Sequence, residues 1–148
     1  MARHYPCDDL VTGLSLWRGV SVAAPPSLVW RWVRQIRLAP YSYDWVDNVG
    51  RRSPRELSVL ADPVVGDPFT ASAGRPLGRV LHVVPGESLT ASIMGAVMSY
   101  VVVPSGEGSR LLLKIVTPGH WWAVPLAVGD WPMARKQLLT LKALAEGS

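Results

Sequence analysis

From Leu14 onward apolar residues recur at every second position: Leu14, Leu16, Val20 and Val22 share one parity, interrupted only by Arg18. A period of two predicts a strand with one buried face. Ala23-Ala24-Pro25-Pro26 ends it, and Pro26 suits the first turn of a helix, where a missing N–H costs nothing. Val29, Trp32, Val33 and Ile36 then fall at i, i+3, i+4 and i+7, the buried stripe of a helix. That helix stops near Leu38, because the residue before Pro40 is pushed out of the α region.

The period of two returns in the middle of the chain. Val80, His82 and Val84 alternate with Leu81 and Val83, and Leu89, Ala91 and Ile93 alternate with Ser88, Thr90 and Ser92 across Pro85-Gly86-Glu87. This predicts a hairpin of residues 78–84 against 88–94. Residues 97–103 and 109–117 predict a second, turned through Pro104-Ser105-Gly106-Glu107-Gly108, with Leu111, Leu113 and Ile115 on one face. Between the first helix and these hairpins, Gly50 to Asp67 is rich in Arg, Pro and Gly and reads as a surface excursion with at most one brief edge strand, order resuming over Val65 to Ala71. Pro118 to Gly129 contains GHWWAVPLAV, an apolar stretch broken by Pro125.

The last element predicted is a long helix from Asp130, an N-cap carboxylate, with Pro132 in the first turn, to about Glu146. Advancing about 100° per residue places Met133, Ala134, Gln137, Leu138, Leu141, Leu144 and Ala145 on one side and Arg135, Lys136, Lys142 and Glu146 on the other. Gln137 is the polar residue inside that stripe. The order of elements is that of an α+β chain, with a curved antiparallel sheet of six to seven strands wrapped around the long C-terminal helix and one or two short helices after the first strand. Residues 1–13 read as an arm and 14–148 as a single domain. A sheet bent around one helix leaves space that its own side chains do not fill, so a pocket between the two is expected.

Composition narrows what such a pocket does. With 148 residues, 49% hydrophobic and 18% charged, the chain is predicted to fold as one globular unit, and no apolar run approaches the roughly 20 residues of a membrane span. The start, MARHYPCDDLVTG, has no apolar signal-peptide core, and Cys7, the single cysteine, has no partner for an internal disulfide; a cytoplasmic protein is the expectation. The net charge of +4 is spread along the chain, with Arg31, Arg34 and Arg37 on the outer side of a helix, so no nucleic-acid partner is expected. His4, His82 and His120 have no ligand spacing among themselves or with Cys7, so neither a metal site nor any other cofactor is expected.

No G-x-S-x-G elbow, Walker-type loop or dinucleotide fingerprint follows any predicted strand. The candidate chemistry lies in single residues. His82, if its strand face looks into the pocket, is placed to act as a general base; the alternative is a hydrogen-bonded or solvent-facing strand histidine. Arg110 and Lys114 share a parity and either hold an anion or face solvent; Tyr100 carries the same ambiguity. Tyr41, Tyr43 and Trp45 offer large apolar area with one donor each, which fits either the rim of a ligand pocket or a plug in the core. Trp121 stands in the most apolar stretch, read as a lid or a homodimer contact rather than a stable membrane insertion, and Gln137 and Leu141 present the long helix to the pocket.

The step Val22-Ala23-Ala24-Pro25-Pro26-Ser27-Leu28-Val29-Trp30 and the terminal Gln137-Leu138-Leu139-Thr140-Leu141-Lys142, in this order of elements, resemble the START-like, helix-grip superfamily (SRPBCC), which includes polyketide cyclase/dehydrase-like proteins, lipid-transfer START domains and pollen-allergen-type plant proteins. The resemblance covers roughly residues 14–146, and Pro40-Tyr41-Ser42-Tyr43-Asp44-Trp45-Val46-Asp47-Asn48 resembles a segment of uncharacterised bacterial members. It departs at Gly50 to Asp67, where most members show a clearer strand. It implies a hydrophobic cavity between sheet and helix, hence a small hydrophobic partner, lipid-like or aromatic and polyketide-like; the alternative is a polyketide cyclase or dehydratase using general acid/base catalysis in the same cavity.

Overall fold

The alternation from Leu14 forms β1, Gly13–Val22, and the proline pair after it opens α1, Pro26–Arg34, followed by a 3-10 turn, Gln35–Arg37. The computed structural model describes residues 13–38, 55–72, 75–93, 95–118 and 123–148, of which 13–17, 72, 117–118 and 123–134 are described as backbone only. Val29, Trp32, Val33 and Ile36 are all buried, as their spacing predicts. The remaining strands are β2, Thr70–Ser72; β3, Arg75–Leu77; β4, Arg79–Val84; β5, Ser88–Ile93; β6, Ala96–Ser105; and β7, Gly108–Pro118, before the long helix α2, Ala123–Glu146.

A curved antiparallel sheet of five strands runs in the order β1-β7-β6-β5-β4, and β2 and β3 form a separate two-stranded sheet. Seven strands are therefore present among the described residues, in two sheets rather than one. Gly78 marks the break. It has φ +69, and a Cβ there would lie 2.4 Å from the carbonyl oxygen of Ser92, so only glycine lets the chain pass from β3 into β4. The link between the two sheets is kept by Val80, whose N–H donates to the Asp67 carbonyl at 2.8 Å while its own carbonyl accepts from Gly66 at 2.9 Å.

The residues from 55 to 67 form no strand; they lie along α1, tied by its polar side chains. Gln35 is fully buried and uses both ends of its amide, Nε2 donating to the Glu56 carbonyl at 2.7 Å and Oε1 accepting from the Ser58 N–H at 2.8 Å. Trp30 Nε1 and Arg34 both reach Asp62 Oδ1, at 2.9 and 3.2 Å, and Arg37 donates to the Ala61 carbonyl. A side-chain amide here does the pairing that a neighbouring strand would otherwise do.

The long helix begins seven residues earlier than Asp130 and Pro132 suggest. The same rule, applied to Pro125, accounts for this: a proline in the first turn removes a donor that has no partner. Asp130 is thus inside α2, not its cap, and Pro132 leaves the Val128 carbonyl without its usual helical donor. Pro125 opens a helix instead of breaking a loop. At its far end α2 is stitched to β1: Glu146 Oε1 accepts from the Ala23 N–H at 2.9 Å and from Lys142, whose Nζ also donates to the Ser21 carbonyl at 2.7 Å. These bonds hold the Glu146 carboxyl below its usual pKa, the Ala23 N–H contributing most. Leu138 and Leu141 are each 1% exposed, and burial of such side chains stabilises by about 1.5–3 kcal/mol apiece.

Candidate functional site

The two hairpins place their residues on opposite sides of the sheet. Leu89, Tyr100 and Leu113 form one cross-strand row on the inner face, beneath the helices, and Ala91, Met98 and Ile115 form the next. Tyr100 is wholly buried, and its hydroxyl donates to Gln137 Oε1 of α2 at 2.6 Å. The Phe69 ring packs against it at 6.0 Å between centroids, tilted by 34°. Burial pushes the Tyr100 phenol well above its ordinary pKa, with the bond to Gln137 acting in the opposite sense. The phenol is a neutral hydrogen-bond donor at any ordinary pH.

The sequence separates Tyr100 from Gln137, and the fold brings them together with Leu141 as part of the packed core. Tyr100 and Leu141 are 0% and 1% exposed, so neither adjoins a space large enough for water; Gln137, at 7%, stands at the margin of the packed region. Met98 and Ile93 on the same face are partly exposed, while Ala91 and Ile115, which pair with Met98, are buried. Tyr41, Tyr43, Trp45 and Trp121 lie outside the described residues.

His82 does not face inward. A register shift between Val80 and His82 inserts one residue into β4, so Val80 pairs with Ala91 while His82, rather than Leu81, pairs with Thr90. A bulge of this kind reverses the parity that follows it. Val80 and Val83 therefore pack inward, and His82 is exposed in the outer row with Thr90, Ser99 and Lys114. Arg110 is also on the outer face and exposed, so the two cations that share a parity share the wrong side for the pocket. That outer face has a cluster of its own, Val97, Val101, Leu112 and Val116, with Thr90 Oγ1 and Ser99 Oγ 2.8 Å apart and buried.

Arg18 is an inner-face residue to which the sequence attached no role. It pairs with Leu113 on the side opposite Tyr100, so the break in the alternation of β1 is an arginine among apolar neighbours. The signal was in the sequence, as the one polar member of an otherwise apolar parity. Among the described residues, no group of three or more His, Cys, Asp or Glu side chains is placed to hold a metal, and no helix is long and apolar enough to cross a membrane. A shallow, open depression of about 290 Å³ lies outside the core, lined by Arg37, Asp67, Pro68, Thr70, Ala71 and Pro76.

An antiparallel sheet curved beneath a long C-terminal helix, with a short helix after the first strand, is the helix-grip fold. Solved structures share it. A protein from Rhodobacter sphaeroides superposes with a TM-score of 0.64 at 17% identity, over 93% of this chain and 97% of its own. An AHSA1-like protein from Rhizobium etli gives 0.56 at 18% over 90% and 82%, and Aha1 from Colwellia psychrerythraea, solved as a dimer, gives 0.58 at 15% over 90% and 96%. No protein-family model matches the sequence, and no curated protein does.

Proposed function

We propose that this chain binds a small, mainly apolar molecule between the sheet and α2, over Met98 and Ile93. The observation that supports the reading is the partial exposure of the apolar Met98 and Ile93 on the inner face of the sheet, against complete burial at Tyr100, Leu111 and Leu113. Interiors pack at near-crystalline density where nothing else has to fit, and apolar side chains left partly open beneath a helix are what a hydrophobic ligand covers. Gln137 stands at the boundary of that region and is suited to orienting a polar atom of the ligand. The fold shared with AHSA1-like proteins is compatible with this.

The cyclase or dehydratase reading requires a base within hydrogen-bond reach of the proton it removes. His82 is on the other side of the sheet, and the buried Tyr100 phenol holds its proton. Binding is therefore the function put forward.

Native mass spectrometry of freshly purified protein, with organic extraction of the same sample, tests it. A stoichiometric adduct lost on denaturation is expected, and a Met98→Trp variant that remains folded should lose it by filling the space. An adduct kept in full by that variant would place the ligand elsewhere and overturn the assignment.

A further inference from the structure

We infer that the arm preceding β1, residues 1–12, folds back across the outer face of the sheet, with Leu10 and Val11 over Val97 and Val116 and the Asp8-Asp9 pair meeting Lys114; this is independent of the binding reading above.

The outer face has the composition of a covered surface. An antiparallel sheet that is open to water on one side carries polar residues there. Here Val97, Val101, Leu112 and Val116 stand together at 5%, 7%, 8% and 2% exposure, and Thr90 and Ser99 beside them are wholly buried. Among the described residues this cluster draws its members from the strands alone, whereas α1 and α2 contribute to the inner one. The layer over it therefore comes from outside the described residues.

Charge and reach select the arm. The titratable strand residues of that face are Arg79, His82, Arg110 and Lys114, and none is acidic among the described residues. Lys114 is half-buried and engaged within the chain. An ammonium drawn out of water among apolar side chains requires a carboxylate beside it. Asp8 and Asp9 supply two, directly followed by the apolar Leu10 and Val11. Gly13 pairs with Pro118, so the arm leaves β1 at the end of the sheet where Val116 lies. Counting residues along β7 and one ladder across, Val116 lies about 8 Å and Lys114 about 14 Å from Gly13. At about 3.3 Å per residue an extended arm brings Val11 and Leu10 to the first and Asp9 and Asp8 to the second.

Carbodiimide treatment of the full chain, which couples a carboxylate to an amine in contact with it, tests the pairing. Peptide mass spectrometry should find Lys114 joined to Asp8 or Asp9 within one chain, and the link should vanish in Lys114→Arg. Cys7, the single cysteine, carries a nitroxide for the second readout. Its electron paramagnetic resonance spectrum should show slow motion in the native chain, and the double variant Asp8→Asn, Asp9→Asn should make that motion several-fold faster, as in an undocked terminus. Failure of Lys114 to couple to the arm, or its coupling to Asp44 or Asp47 instead, overturns the inference. So does a link formed only between labelled and unlabelled chains in an isotopic mixture, which would make the cover a second copy. A freely mobile nitroxide in the native chain, or a spectrum unchanged by the double variant, overturns it as well.

Discussion

The Tyr100 hydroxyl and the Gln137 amide are two polar groups that the core can hold only as a pair. Tyr100→Phe keeps the ring against Phe69 and leaves Gln137 Oε1 without its donor; equilibrium urea unfolding should show a loss of about 1–3 kcal/mol. Titration supplies a second reading of the same bond. The folded phenol has a pKa raised above the unfolded value of 10.0, so its stabilising effect is complete below that pH and declines as pH rises toward the folded value. Native protein should therefore lose up to about 1.4 kcal/mol per pH unit above pH ~10 relative to Tyr100→Phe, a difference that isolates this one phenol from the other titrating groups. The inward side of Gln137 was legible as a polar residue within the apolar stripe of its helix. Its partner was not, because a lone tyrosine in a valine-rich strand carries no mark of which helix residue will meet it.

Periodicity predicted both hairpins and the buried face of each helix, because those depend on spacing within a single segment. It left the face of His82 open, because counting by twos assumes an uninterrupted ladder and the extra residue in β4 is invisible until β5 sets the register. The start of α2 was misplaced because two prolines, Pro125 and Pro132, both satisfy the rule for a first turn. Gly78 gives a test of the strand passage. Gly78→Ala combines a positive φ with a backbone clash and should cost more than about 2 kcal/mol, whereas Gly86→Ala, at φ +81 with open space around it, bears only the backbone strain of about 1–2 kcal/mol. Far-UV circular dichroism melts of the two variants should rank them in that order, Gly78→Ala the less stable. In α2, Leu138→Ala and Leu141→Ala should each cost roughly 2–5 kcal/mol by chemical denaturation; a loss below 0.5 kcal/mol would deny that the helix is central to the core.

Sheet and helices share one core, in which Tyr100, Leu111, Leu113, Leu138 and Leu141 are buried and Met98 and Ile93 are partly exposed. The fold class was legible in the order of elements; which inner-face side chains stay partly open was not, since that depends on how side chains from five strands and two helices share one volume. One long ladder, β1 with β7, joins residues about a hundred positions apart, and stopped-flow refolding should accordingly show its main phase in the millisecond-to-second range, slower than a helical bundle of this length. The antiparallel ladder of β1 with β7 also gives the protein a timetable. In the cell, β1 leaves the ribosome with no strand to pair with, and at about 5–20 residues per second the roughly one hundred residues from Gly13 to Pro118 keep it waiting for roughly 5–20 s, an interval in which a chaperone that recognises extended apolar segments has its opportunity.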